Sequence, residues 1–491
     1  MSMLPVQLTT RGGSNYDGNY DSSYRREHLE VPMLKEISRL SRPLLLLVPF
    51  LLLGLIACFP HSACAQLTTE NLIGDSVSLS NRSYPEVEDA IQRFRNKDVD
   101  AARAFLDRAK EKYPKLPPTD ITLAKMHIIG RDGSTARILL EKAATNSPDD
   151  PEAYLLLADD AFTSGRTTEA AVLFDKAGEL TEAFTDNAKR KGKFEIRVLA
   201  GRAGVAERRQ QWETAAGLLK NWIEMDAESA PAHQRLGITQ FRLGQFDEAR
   251  SEFKRARELR EEFNHPEVVM GRLYAREGKD DLAKQAYQTA YSEDGDNEDT
   301  ARSYAEYLLR EEDISKASEV SQKLLAKNPK SIRALLLDGV IAKLQGDMDR
   351  AETDLNKILT IDPANADANN VLALLLVDSD DEDSKQKALR YAQVNAQRFP
   401  KSPQARVTLA WVLHKMGNDR EAQQTLQNIS GSNLSSDSGY LVSQMIADLG
   451  KRDQARKMLT QVLKQSQTMI LFETKARALL EELEADSGDE E

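Results

Sequence analysis

Small residues recur at fixed intervals among the apolar positions of most of this chain. From Gly237, steps of 34 residues reach Gly271, Ala305, Gly339 and Ala373. The same walk, with a few altered steps, adds Ala90, Ala124, Ala158, Ala203, Ala410 and Ser443. A period of this length over apolar positions at helical spacing predicts a stack of helical units rather than a sheet.

A second series of small residues follows the first, twelve positions later in all but one unit. Its members are all alanine: Ala102, Ala136, Ala170, Ala215, Ala249, Ala283, Ala317, Ala351, Ala388, Ala422 and Ala455. A bulky side chain often follows four residues later, as Phe253 follows Ala249. Small residues at a helix crossing let two backbones approach, and a larger side chain fills the remaining gap. The pattern predicts eleven helix–turn–helix units over residues 84–467.

Proline closes several of these units, and the whole pattern resembles a known repeat family. The closing prolines are Pro114, Pro148, Pro329, Pro363 and Pro400. The order Gly/Ala, Ala, bulky residue, Ala, proline resembles the tetratricopeptide repeat (TPR) family. The resemblance implies an all-α, right-handed superhelical α-solenoid whose first helices line a concave, partner-binding face. Residues 468–491 are predicted to form a capping helix, beginning near Thr468, and an acidic tail.

Two departures from the regular spacing carry structural predictions. The step from Ala158 to Ala203 is 45 residues, so about eleven extra residues lie between these units, around TEAFTDNAKRKGK. We expect longer helices or a bulging loop there. Three extra residues between Ala373 and Ala388 are predicted to lengthen the turn that reads DSDDED.

The chain begins with two segments unlike the repeats. Residues 1–32 are polar and are interpreted as a disordered leader or a mis-called start. Residues 33–65 contain a basic lead and an apolar run over 44–59, which are typical of a signal peptide or membrane anchor. Residues 66–83 are rich in Ser, Thr and Asn and are predicted to be a linker.

Three fates of the apolar run remain open. Small residues before Gln66 favour cleavage there, whereas LIAC ending at Cys58 resembles a lipobox and would leave that cysteine lipidated. The third fate is a retained anchor, with membrane association through residues 44–59. All three place the repeats outside the cytoplasm, in the periplasm or on a membrane.

Composition and motifs narrow the function further. The net charge of −12 argues against general binding of nucleic acid. The only two cysteines, Cys58 and Cys64, lie within or just after the apolar run, and the six histidines show no metal-binding spacing. No phosphate-binding loop or nucleophile elbow is present. We therefore expect no enzyme activity, no cofactor and no metal site.

Arginines on the predicted first helices are the main candidates for partner binding. One recurs five residues after the small residue in four consecutive units: Arg208, Arg242, Arg276 and Arg310. Arg272, Arg302 and Arg333 lie nearby on first helices. Stacked as a ladder, they would bind an acidic peptide or an anionic glycan, because guanidinium groups bind carboxylates in a bidentate fork. The alternative is structural, since a cation near a helix C-terminus is favoured by the helix dipole.

An apolar series recurs four residues after the small residue. Its members are Phe94, Ile128, Phe162 and Phe241. Exposed, they would anchor a partner helix, whereas packed against the next unit they belong to the core. We expect partial exposure.

These features together predict a non-enzymatic scaffold or adaptor. It would bind segments of other proteins or peptides in the concave groove of the solenoid, outside the cytoplasm, and would serve cell-envelope assembly or secretion. The alternative is an accessory protein of surface-polysaccharide export that binds anionic glycan through the arginine ladder.

Overall fold

The structure is a computed structural model that describes residues 67–78, 83–427, 429, 434–465 and 471–488. Twenty-four α-helices, and no strand, are found in these ranges. Helices α2 to α23 form eleven consecutive pairs, which we call units 1 to 11. The all-α solenoid of about eleven repeats is therefore confirmed.

Each unit has a first and a second helix. The first helices are α2 (Pro85–Arg95), α4 (Thr119–Ile129), α6 (Pro151–Thr163), α8 (Ala188–Arg208), α10 (Ala230–Arg242), α12 (Pro266–Arg276), α14 (Glu298–Arg310), α16 (Ile332–Gln345), α18 (Ala366–Leu376), α20 (Pro403–Lys415) and α22 (Ser436–Asp448). The second helices are α3 (Val99–Lys112), α5 (Gly133–Asn146), α7 (Thr167–Ala183), α9 (Trp212–Met225), α11 (Phe246–Leu259), α13 (Asp280–Asp294), α15 (Ile314–Lys327), α17 (Met348–Ile361), α19 (Glu382–Arg398), α21 (Asp419–Leu426) and α23 (Arg452–Gln465). Two further helices, α1 (Thr69–Ile73) and α24 (Glu473–Gly488), flank the units.

The two series of small residues lie at the closest helix crossings. All eleven alanines of the second series are buried, and so are all members of the first. At Gly237 an added Cβ would lie 2.5 Å from Cε1 of Phe253, so the ring occupies the space that a side chain would need. The predicted close crossing, filled by a bulky neighbour, is confirmed.

The turn inside a unit reverses the chain through one residue with a left-handed backbone in ten of the eleven units. Glycine takes this place in six: Gly165, Gly244, Gly278, Gly346, Gly417 and Gly450. Lys97, Arg131, Gln210 and Glu312 take it in four others, at φ values between 58° and 62°. Glycine is favoured here because it has no Cβ to clash in this conformation.

The irregular spacings appear where the sequence places them. Helices α7 and α8 have 17 and 21 residues, whereas α10 and α11 have 13 and 14, so the eleven extra residues lengthen helices. In unit 9 the turn spans 377–381, five residues, compared with three in unit 5, and α19 is longer as well, with 17 residues.

The predicted linker over 66–83 is partly wrong. Thr68 caps α1 by accepting a hydrogen bond from the Asn71 amide at 3.2 Å, and Leu72 and Ile73 are 0% and 1% exposed. The segment packs against the repeats because these two apolar side chains are buried there and several of its carbonyls accept hydrogen bonds from the repeats.

The C-terminal helix covers the last unit, as a capping helix should. Phe472 stacks on Tyr440 of α22 with ring centroids 5.1 Å apart, and Ala476, Leu479 and Leu483 are buried. The helix begins at Glu473, later than predicted, and it continues to Gly488 into what was interpreted as the acidic tail.

Candidate binding groove on the first helices

Residues 67–78, here called the N-terminal segment, contact the first helices of units 1 and 2 and the start of the first helix of unit 4. Arg95 at the end of α2 donates from Nη2 to the carbonyl of Leu67 at 2.8 Å. Lys125 of α4 donates from Nζ to the carbonyl of Leu72 at 3.2 Å. The face of the first helices therefore holds a stretch of polypeptide.

Two side chains at the start of α8 hold the rest of the segment. Asn187 donates from Nδ2 to the carbonyl of Ser76 at 2.7 Å. Lys189 donates from Nζ to the carbonyls of Gly74 and of Val77, the latter at 2.9 Å. Together with Arg95 and Lys125, four repeat residues thus bind five main-chain carbonyls of the segment.

Apolar contacts accompany these hydrogen bonds. Leu67, Leu72 and Ile73 belong to the same buried cluster as Ala90 and Ala124, the small residues of units 1 and 2. Burying a pair of large aliphatic side chains stabilises the docked segment by about 3–6 kcal/mol before the cost of ordering it.

A buried charge network lies beneath the segment. Arg190 Nη2 lies 2.8 Å from Asp150 and 2.7 Å from Glu152, and Lys125 also pairs with Glu152. Burial alone would raise the pKa of Glu152, but the charges of Lys125 and Arg190 outweigh it and lower the pKa to about 2. The network fixes Lys125, whose ammonium group both pairs with Glu152 and donates to the segment.

The first turn of α8 comes from the long insertion between units 3 and 4. Asn187 caps this helix, because its Oδ1 accepts hydrogen bonds from the amides of Lys189 and Arg190 at 3.0 and 3.2 Å. The cap positions three groove side chains at once. The sequence located the insertion, but nothing in its pattern distinguished these polar residues as ligands of a peptide.

Several predicted binding arginines contact neighbouring units instead. Arg242 of α10 pairs with Glu277 at 2.9 Å, and Arg272 of α12 donates to Ser303 of α14 at 2.9 Å. Arg333 of α16 pairs with Asp299 at 2.9 Å. These contacts join successive first helices and account for the arginines without a ligand.

The other predicted arginines have local contacts. Arg302 pairs with Glu306 on its own helix at 2.5 Å, and the guanidinium of Arg310 lies 5.7 Å from the ring centre of Tyr307. Arg276 is exposed at the end of α12, and its side chain also interacts with another group of the protein. A role of these residues in partner binding stays a prediction.

The apolar series divides between surface and core. Ile128 is 43% exposed, and Phe94 and Phe162 are half-buried. The expected partial exposure is wrong for Phe241, which is 2% exposed because its ring packs edge-to-face on Phe246 and Tyr274.

One predicted aromatic residue and one predicted arginine contact each other. The guanidinium carbon of Arg208 lies 3.9 Å from the ring centre of Phe162, and its Nη1 donates to the Phe162 carbonyl at 2.6 Å. This cation–π contact joins units 3 and 4.

Some predictions fall on residues that the structure does not describe. Cys58 and the apolar run 44–59 lie outside the described residues. Within the described ranges, no helix is long and apolar enough to span a bilayer. The same ranges contain no cluster of three or more His, Cys, Asp or Glu side chains arranged to hold a metal ion.

Comparisons with solved structures find other repeat proteins at low identity. A tetratricopeptide repeat protein from Parabacteroides merdae is 15% identical, with a TM-score of 0.35, over 59% of this chain and 98% of its own. Yeast Tom70 is 16% identical, with a TM-score of 0.37, over 82% and 96%. PilF from Pseudomonas aeruginosa is 18% identical, with a TM-score of 0.27, over 46% and 97%. No curated protein sequence gives a significant match.

Comparison with family models gives two matches inside the units. Both are described as tetratricopeptide repeats, one over residues 230–263 and one over residues 305–366. The first covers unit 5, and the second extends from α14 of unit 7 to the start of α18. These matches and the eleven buried helix crossings identify the chain as a tetratricopeptide repeat protein.

Proposed function

We propose that this protein is a non-enzymatic scaffold that binds segments of partner proteins along the face of its first helices. One observation carries the proposal: residues of units 1, 2 and 4, on or at the start of their first helices, already hold the N-terminal segment through its main chain. A surface that offers side-chain donors to carbonyls and apolar contacts to aliphatic residues suits a peptide ligand.

The proposed setting is outside the cytoplasm, in the periplasm or on a membrane. It is supported by the basic lead and apolar run within residues 33–65. A role in envelope assembly or secretion follows from this setting.

The glycan alternative has less support. A ladder that binds an anionic polymer needs free guanidinium groups, whereas Arg242 pairs with Glu277 and Arg333 pairs with Asp299. Arg302 likewise pairs with Glu306. An anion would have to displace these carboxylates, so we favour a protein partner.

Site-specific photo-crosslinking in envelope fractions tests the scaffold function. A photoreactive residue at Arg208 or Arg276, on the first helices, should capture a discrete set of proteins. The same residue at the exposed positions Ile138 or Val172, on second helices, is the matched control. Equal capture from both faces, or none from the first helices, would contradict the proposal.

The proposed location has its own measurements. Fractionation should find the protein outside the cytoplasm, and the mass of the purified protein distinguishes the fates of the apolar run. Cleavage gives a chain that starts at Gln66, whereas lipidation gives palmitate incorporation that Cys58→Ser abolishes. A full-length chain in the cytoplasmic fraction would overturn this part of the proposal.

A further inference from the structure

The N-terminal segment is not one of the repeats, yet it occupies their binding face. We propose that residues 67–78 are an exchangeable internal ligand, and that a partner segment with a similar aliphatic pair replaces them in the same site. This inference rests on the proposed function, because it names the site and the chemistry of the partner.

The chemistry of the contacts allows exchange. The five hydrogen bonds from Arg95, Lys125, Asn187 and Lys189 all end on main-chain carbonyls, which any polypeptide supplies. The side chains of Glu70 and Asp75 are exposed. The site therefore recognises the main-chain conformation and a few buried side chains of its ligand. The remaining positions of the ligand are free to vary.

The buried side chains define what a partner must carry. Leu72 and Ile73 are adjacent and almost completely buried, and Gly74 follows them without a side chain at a buried position. An added Cβ at Gly74 would lie 2.6 Å from the carbonyl oxygen of Glu70. The matching partner is a short helical turn that ends in two adjacent aliphatic residues and then glycine.

The groove keeps its form independently of the segment. Lys125 is held by Glu152, Glu152 by Arg190, and Arg190 by Asp150, all within units 2 to 4. The two donors at the start of α8 are fixed by the helix cap of Asn187. An emptied groove therefore presents donors already placed for the next ligand.

The resident segment is a modest ligand in two respects. Helix α1 has only five residues, too few for an isolated helix to be stable in water. The hydroxyl of Ser76 is buried and has no hydrogen-bond partner among the described residues. A segment without this hydroxyl would bind without the free-energy cost of burying an unpaired polar group.

Binding of a labelled peptide to the purified full chain tests the proposal. The probe is a fluorescent peptide of residues 67–78, LTTENLIGDSVS. The resident segment is disabled by Leu72→Asp with Ile73→Asp. The matched control is Glu70→Gln with Asp75→Asn, which changes two exposed positions of the same segment. Fluorescence anisotropy gives the affinity of each chain.

The expected result is a clear order of affinities. The chain with the disabled segment should bind the peptide at least about tenfold more tightly than the wild type, because its groove is empty. The control should behave as the wild type, and a peptide carrying the two aspartates should not bind. Adding Lys189→Met to the disabled chain should weaken binding again.

Two results would overturn the proposal. One is a disabled chain that is folded by circular dichroism and fails to bind, or binds independently of Lys189. The second result applies if the disabled chain does not fold, in which case hydrogen exchange is measured on the wild type. If the amides of residues 69–77 exchange as slowly as those of α10 and α11, the segment is permanently docked and the proposal is wrong. Both measurements use the purified chain, so their outcome is independent of the crosslinking in envelopes.

Discussion

The guanidinium of Arg190 lies 2.7 Å from the carboxylate of Glu152, and the two side chains are 3% and 2% exposed. Glu152→Gln would leave Lys125 and Arg190 without this carboxylate in a buried site. We expect it to destabilise the protein by about 3–5 kcal/mol, measured by urea unfolding. Asp175→Asn, which breaks the exposed pair with Arg202, is the control and should change stability by less than about 1 kcal/mol. Equal effects would contradict a buried network.

Acid should remove the contribution of Glu152 to the free energy of unfolding. Despite burial, Lys125 and Arg190 lower its pKa to about 2 in the folded protein, from an ordinary 4.5. A lowered folded-state pKa means stability that is present above pH 4.5 and lost as pH falls toward 2. The stability difference between wild type and Glu152→Gln should therefore shrink by about 2 kcal/mol between pH 6 and pH 3. Urea unfolding at pH 6, 4 and 3 measures it, and a constant difference would refute the assignment.

The close crossing in unit 5 predicts a penalty for one added methyl group. Gly237→Ala places a Cβ against Phe253 and should destabilise by about 1–3 kcal/mol. Gly217→Ala, inside α9 with no heavy atom within 4 Å of its added Cβ, should stabilise by about 0.4–1 kcal/mol. Thermal unfolding followed by circular dichroism compares the two, and a neutral Gly237→Ala would refute the packing argument.

The repeat array could be predicted from the sequence because its packing is periodic. The alanine series that includes Ala249 marks every helix crossing. The insertion between Ala158 and Ala203 predicted either longer helices or a bulging loop, and the structure has longer helices. Phe241 was assigned wrongly because the same register position meets different neighbours in different units. In unit 5 those neighbours are Phe246 and Tyr274, which bury it.

The docked segment could not be predicted in this way. Its contacts join residues far apart, as Ser76 and Asn187 are 111 positions apart, and no period relates them. Only two of its residues, Leu72 and Ile73, are adjacent large apolar side chains, which is too little for a pattern. The signal that was available lay in the insertion, whose polar residues supply the amide and ammonium donors.

Asn187 both caps α8 and binds the segment, and two substitutions at this position can separate these functions. Asn187→Asp keeps a side-chain oxygen for the Lys189 and Arg190 amides but loses the donor to the Ser76 carbonyl, and also the donor to the Lys115 carbonyl. Amide exchange in residues 69–77 should become about tenfold faster, while that of α8 stays unchanged. Asn187→Ala, which loses both functions, should accelerate exchange in both. Unchanged exchange in the segment after Asn187→Asp would show that this hydrogen bond does not hold it.

The predicted arginine ladder can be tested directly. Because Arg242 pairs with Glu277, we expect Arg242→Ala with Arg276→Ala to leave retention on an anionic polysaccharide column unchanged. The same double variant should unfold within about 1 kcal/mol of the wild type, since the Arg242–Glu277 ion pair is partly exposed. Lost retention in a folded variant would support the glycan alternative.

In a solenoid each unit otherwise contacts mainly its neighbours, so bending accumulates freely from one unit to the next. The N-terminal segment breaks that rule, because it ties Arg95 of unit 1 to Lys189 of unit 4 through one short stretch of backbone. It therefore cross-links units that are not neighbours at this end of the array. Releasing the segment would remove this connection between units 1 and 4, while the ion pairs of Glu152 with Lys125 and Arg190 would still join units 2 to 4.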